Sequence, residues 1–313
     1  MRDDRWGAVR KGLRRRRRLL GEAIRPPAPR ARALDAVPAQ PGPADDGHAD
    51  DGPDGGPVVE AAPRLVPDPV FLLSSVRSGS TLLRVLLNSH PRIRAPHEMH
   101  LRTLHVRLDR DFTYDAMGEL GLDRRELEHM LWDRVLHHAR CRGGVEETEL
   151  PVVVDKTPAN TLLWRRLHRA WPQARYVFLL RHPAAVVESL TARRTEPDID
   201  AIHQEVLGYA EELEHARHTL DGVTLTYEDL TAEPERETRR ICAHLGVDWD
   251  PAMLDYGARD HGTFRPHIGD WSETIRSGRI QPARMPATCD GLPPRLRELA
   301  RAWGYEVWPA GPG

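Results

Sequence analysis

Pro69-Val70-Phe71-Leu72-Leu73-Ser74-Ser75-Val76-Arg77-Ser78-Gly79-Ser80-Thr81-Leu82-Leu83-Arg84-Val85-Leu86-Leu87 is the stretch on which the reading of this chain turns. Residues 69–75 form a short apolar run of strand length, of the kind found in strands buried on both faces. An apolar helix, 80–89, follows. Between them lies a turn of small and polar residues. Strand, small-residue turn and helix N-terminus is the geometry that presents backbone N–H groups to an anion. Gly79 lets the backbone approach closely, Ser78, Ser80 and Thr81 add hydroxyl donors, and Arg77 adds a fixed charge. A serine-rich turn without a ligand is the competing reading of the same residues. The loop is not a Walker A motif: Gly-x-x-x-x-Gly-Lys-Ser/Thr needs Gly at 74 and Lys at 80, and both are Ser.

Outward from this stretch, short apolar runs alternate with helical patterns. Strands are expected at 69–75, 92–95, 151–155, 175–181 and 222–227. Helices are expected at 80–89, 123–140, 158–171, 183–194, 200–219, 234–245 and 292–303. Pro183 and Pro234 sit where a first helical turn tolerates proline, and Gly246 is a C-terminal stop after Leu245. In 158–171, Leu162, Leu163, Leu167 and Ala170 share a face, with Arg165, Arg166 and Arg169 outside it. The pattern predicts an α/β protein with a parallel sheet covered by helices on both faces.

Two more strand ends carry chemistry-bearing residues, and carboxyl ends of parallel strands are where such folds bind ligands. Arg181-His182-Pro183 ends one strand, and Ser189 follows two helical turns later. An Arg fork and a Ser hydroxyl can converge on one phosphate. Asp155-Lys156-Thr157-Pro158 ends another. Lys11 and Lys156 are the only lysines in a chain otherwise served by Arg. That choice hints at a compact ammonium at Lys156. His97, His100 and His105 lack the His-Glu-x-x-His spacing, so no metal site is expected from them.

The chain has 313 residues and a net charge of −2, which conceals an asymmetry. Residues 1–33 sum to +9, residues 34–60 to −7, and eleven of the 27 prolines fall between Pro26 and Pro69. Residues 1–66 are therefore read as a disordered arm, Arg-rich and then rich in Pro, Gly and Asp. The folded domain is placed at 67–313. The near-neutral body is not that of a nucleic-acid binder. For the Arg14–Arg18 run, a solvated tail is favoured over a tether to acidic lipid or nucleic acid. Cys141, Cys242 and Cys289 form neither a disulfide framework nor a zinc knuckle. With no apolar run of membrane-spanning length and no secretory leader pattern, a cytoplasmic location is expected.

Together, these elements resemble the sulfotransferase superfamily, whose members use 3′-phosphoadenosine 5′-phosphosulfate (PAPS). The resemblance covers about 69–310. The loop Arg77 to Leu83 is similar to the family's 5′-phosphosulfate loop. Arg181 and Ser189 look like its 3′-phosphate site. The run from Arg77 to Glu98, including His90-Pro91 and Arg94, resembles the branch of tyrosylprotein sulfotransferases and many bacterial enzymes. Tyr227-Glu228-Asp229-Leu230 and Leu245-Gly246-Val247 resemble the sequence after that family's last core strand.

The resemblance implies a P-loop-NTPase-like fold, with PAPS as co-substrate and no metal. It implies that Arg77, Ser78, Gly79, Ser80, Thr81 and Leu82 hold the 5′-phosphate and that Arg181 and Ser189 hold the 3′-phosphate. It implies Glu98 as catalytic base, with His97 and His100 as rivals. Arg77 and Lys156 would meet the sulfuryl group, and Ser272 would be a further catalytic residue. The acceptor would bear a hydroxyl. His97-Glu98 replaces a paired acidic motif, which points to a secondary metabolite, carbohydrate or lipid rather than peptide tyrosine. The alternatives are a nucleotide kinase on the same fold and a non-catalytic nucleotide-binding or tethering protein.

Overall fold

The computed structural model describes residues 63–142, 150–262, 273–286, 289 and 291–305. Five parallel strands form one sheet: β1 (Val70–Ser74), β2 (Ile93–Arg94), β3 (Val152–Asp155), β4 (Arg175–Leu180) and β5 (Gly222–Thr226). Their order is β2-β3-β1-β4-β5. All five coincide with expected strands. The helices are α1 (Ser80–Asn88), α2 (Asp111–Glu119), α3 (Arg124–Cys141), α4 (Trp164–Ala170), α5 (Pro183–Thr191), α6 (Ile199–Thr219), α7 (Tyr227–Ala232), α8 (Pro234–Leu245), α9 (Glu273–Arg276) and α10 (Pro294–Ala302).

β1 occupies the centre, and all five of its residues are buried. Its side chains alternate between two cores, as the period of a strand requires. Val70 and Leu72 join Val177 and Leu179 of β4 against α1 and α8. Phe71 and Leu73 join Tyr176, Phe178 and Leu180 against α3, α4 and α6. Helices therefore cover both faces. The chain leaves β1 toward β2 on one side and later leaves β4 toward β5 on the other. The turns after β1, β3 and β4 thus face one crevice at the carboxyl edge of the sheet, the usual ligand position in such sheets.

Some details differ from the sequence reading, the short helices α7 and α9 among them. The stretch 158–171 is a 3₁₀ segment, Pro158–Leu163, followed by α4. Asn160 and Thr161 pull the first turns onto the strand ends: Asn160 Nδ2 donates to Asp155 at 2.8 Å, and Thr161 Oγ1 donates to the Ser74 carbonyl at 2.8 Å. Arg166 is not directed to solvent. It lies over the Trp132 ring, 4.4 Å from its centroid, and pairs with Glu128 of α3. α2 has no counterpart in the reading, because it buries none of its residues and so carries no apolar period.

Among the described residues, Arg64, Leu65 and Val66 already bond to α3. Arg64 donates two bonds to Glu126, at 2.7 and 2.9 Å. The Leu65 and Val66 amides donate to the Asp133 carboxylate. Residues 1–62 lie outside the described residues.

Candidate active site

The turn after β1 takes its shape from two backbone positions in the left-handed region. Gly79, at φ 82°, precedes α1. A Cβ on Gly79 would lie 2.1 Å from the Tyr227 ring, so both the dihedral and the space call for glycine. Arg77, at φ 60°, is a residue that rarely adopts this conformation. Its carbonyl accepts from Arg181 Nη1 at 2.6 Å, and its own Nε donates to Ser189 Oγ at 3.2 Å. These contacts tie the loop to β4 and α5.

α1 has no acidic residue in its first turn and no side-chain cap, so its positive end is not neutralised by its own side chains. The Oγ atoms of Ser75 and Ser78 are buried and have no protein partner, and Arg181 Nε is in the same position. Unpaired buried polar atoms are costly unless something fills the site. These donors and the glycine cradle fit a nucleotide phosphate. The Arg181 guanidinium lies over the Tyr227 ring, 4.7 Å from its centroid. Tyr227 stands in the sequence reading only within Tyr227–Leu230, with no role at the site.

On the other side of the loop, Lys156 is almost wholly buried, with 1% of its surface exposed. Its Nζ pairs with Glu98 and reaches Thr81 Oγ1 at 3.4 Å. Burial pushes the Lys156 ammonium below the ordinary lysine range, and the Glu98 carboxylate opposes that shift. Arg84 lies beneath, also 1% exposed, and donates to the Ala95 carbonyl at 3.2 Å. Burial lowers its pKa to about 10, and Glu98 again opposes the shift. Glu98 therefore sits in the field of two buried cations. The signal for Arg84 was available: a lone charge inside the apolar run of α1.

Of the rival bases, His100 Nε2 lies 3.6 Å from Glu98. The buried His97 ring backs onto Gly262, where a Cβ would lie 2.7 Å from Nε2. Leu82 contributes its side chain to the core, leaving only backbone for a ligand. Ser80 and Thr81 are buried in the first turn of α1. The structure thus brings Arg77, Arg181 and Ser189 into one group and Lys156, Glu98 and Thr81 into another. Ser272 lies outside the described residues. Among the described residues, no group of three or more His, Cys, Asp or Glu is arranged to hold a metal. Within the same residues, no helix is long and apolar enough to cross a membrane.

A five-stranded parallel sheet with helices on both faces and a Gly-anchored turn between β1 and α1 defines an α/β protein of the P-loop-like class. Residues 69–251 match the model of the Sulfotransferase family, and the chain belongs to that family. It is 28% identical over 220 residues to nodulation protein NoeE of Sinorhizobium fredii, covering 59% of this chain and 51% of that one. It is 24% identical over 203 residues to the protein-tyrosine sulfotransferase of Drosophila melanogaster, covering 60% of this chain and 40% of that one. The chain therefore spans about half the length of the curated relatives it matches, or less. In fold it is similar to the sulfotransferase domain from the curacin biosynthetic pathway. That match has a TM-score of 0.57 at 23% identity and covers 79% of this chain and all of that one.

Proposed function

We propose that this protein is a PAPS-dependent sulfotransferase that sulfates a hydroxyl, with Glu98 as general base. The observation that carries the reading is the Lys156–Glu98 pair set against Thr81 of the phosphate loop. An acid, a buried cation and an anion cradle then share one place. PAPS supplies the sulfuryl group to be transferred. The amides of 78–82 and the Ser75 and Ser78 hydroxyls suit its 5′ side, and Arg181 with Ser189 suits its 3′-phosphate. The Arg77 Nε bond to Ser189 Oγ supports a place for its side chain on the 3′ side, beside the expected role at the sulfuryl group, while its backbone belongs to the loop.

Sulfuryl transfer is akin to phosphoryl transfer, where positioning and charge stabilisation do most of the work. The Glu98 carboxylate takes the proton from the acceptor hydroxyl, a step worth ~10²–10⁴-fold. The Lys156 ammonium, held in a dry pocket, stabilises charge that develops on oxygen, where the low dielectric makes it most effective. His100, at the mouth of the pair, can tune or relay from Glu98.

The acceptor is a secondary metabolite, carbohydrate or lipid in preference to peptide tyrosine, because a histidine flanks Glu98 where the tyrosine branch places a second acid. The catalytic domain is the region from about residue 67, behind an N-terminal arm, and the protein acts in the cytoplasm.

Calorimetric titration with 3′-phosphoadenosine 5′-phosphate (PAP) in the absence of added metal tests the donor site. Micromolar binding, much tighter than that of adenosine 5′-phosphate, is expected. Equal affinity for the two nucleotides, or magnesium-dependent ATP turnover, overturns the reading in favour of a kinase. Transfer of labelled sulfate from PAPS to a panel of alcohols and phenols then sorts the acceptor classes.

A further inference from the structure

We infer that Thr157, oriented by the buried Asp155, is the positioning residue that sets Glu98 in place. This inference rests on the assignment of Glu98 as the base. Thr157 and Asp155 are both fully buried. Thr157 Oγ1 donates to Asp155 Oδ1 at 2.8 Å. Its oxygen accepts from the amides of Met99 at 3.0 Å and His100 at 3.3 Å. A hydroxyl has one proton to give and two lone pairs to fill, so all its capacity is used. The other Asp155 oxygen accepts from Asn160 Nδ2 at 2.8 Å. Asp155 accepts from both Thr157 and Asn160, which turns the Thr157 proton inward and its lone pairs toward Met99 and His100.

The held segment needs holding. His100 is a non-glycine residue at φ 51°, ψ 42°, directly downstream of Glu98. Such conformations persist where the surroundings over-determine them. Lys156 grips the Glu98 side chain, and its chain neighbour Thr157 grips the next two amides. One short stretch after β3, Asp155-Lys156-Thr157, therefore fixes both the carboxylate and the backbone that carries it.

The test compares Thr157→Val with Thr157→Ser in the full chain. Two readouts need no identified acceptor: amide exchange at Met99 and His100, and slow PAP release from PAPS with water as acceptor. Thr157→Val is expected to lose protection at the His100 amide, with a smaller loss at Met99, whose amide also bonds Asp155, and to release PAP about 10–100-fold more slowly, with PAP affinity within about threefold of wild type. Thr157→Ser, which keeps the hydroxyl, is expected to restore both readouts. In a Glu98→Gln background, Thr157→Val should slow the reaction no further, because both changes act through one group. An equal additional loss in that background, failed rescue by Ser, or intact amide protection in Thr157→Val overturns the inference. Full activity of Glu98→Gln overturns the base assignment instead, while the exchange data still decide the clamp. Should Thr157→Val fail to fold, Thr157→Cys carries the same test: a weaker acceptor of similar volume is expected to give an intermediate loss, and wild-type behaviour overturns the inference.

Discussion

The two sides of the phosphate loop solve the problem of holding positive charge in opposite ways. On the Arg181 side the cations are half-exposed, one guanidinium nitrogen has no protein partner, and the fork is held by stacking on Tyr227. On the Lys156 side the cation is buried and already paired with Glu98. The difference follows from the task of each side. A site that binds a charged nucleotide gains by leaving positive charge unmatched near solvent, where keeping it ionised costs little. A site that stabilises developing charge must exclude water, and a lone buried ammonium would then be too costly to maintain. The ion pair keeps Lys156 charged while the site is at rest, and it places the base beside the cation.

The largest expected effect breaks the buried side. Glu98→Gln should lower kcat by ~10²–10⁴-fold, while calorimetry finds PAP affinity little changed. Loss of PAP binding in that variant would mean that the two sides are not separable. Next, Gly79→Ala should disable the loop itself. The methyl group meets the Tyr227 ring and the backbone is at φ 82°, so a loss of about 1–3 kcal/mol in thermal or denaturant unfolding is expected, together with loss of PAP binding. Arg181→Ala breaks the exposed side alone. Removing a charge-assisted contact should weaken PAP binding about 10–100-fold, with kcat at saturating donor near wild type.

The smallest effect sharpens the comparison through pH. Burial makes Lys156 give up its proton below the ordinary lysine pKa of 10.5. Activity should therefore fall as pH rises through that depressed value, with the protonated form active below it. Lys156→Arg should move this alkaline limb to higher pH, at some cost in maximal rate, because a guanidinium holds its proton more tightly than an ammonium. An unchanged limb in the arginine variant would assign it to another group.

Much of this was legible in the chain. β1, β3 and β4 sit inside short apolar runs bounded by polar residues, and local pattern suffices for such segments. Gly79, Ser78, Arg181 and Ser189 declared themselves through spacing along one strand–turn–helix unit each. Lys156 stood out by residue type. Tyr227 gave no comparable signal, because an aromatic residue after a strand is commonplace and its value lies in facing Arg181 across the crevice. Arg84 was hidden by its neighbours: its apolar setting announced a helix, and the charge within it was passed over. The splitting of 158–171 is not legible in the local repeat, because side-chain bonds from Asn160 to the end of β3 and from Thr161 to the distant β1 override it.

The sequence by itself determined the α/β order of elements, the anion loop after β1 and the strand ends that carry the reactive groups, since these depend on residues close together in the chain. Only the tertiary structure decided which group serves which side. It set Arg77 against Ser189, 112 positions away, Lys156 against Glu98, 58 away, and Thr157 against the amides beyond Glu98. Such partners share no period and no local spacing. They meet because β3 and β4 flank β1 in the sheet, so the turns at their carboxyl ends close on the same crevice.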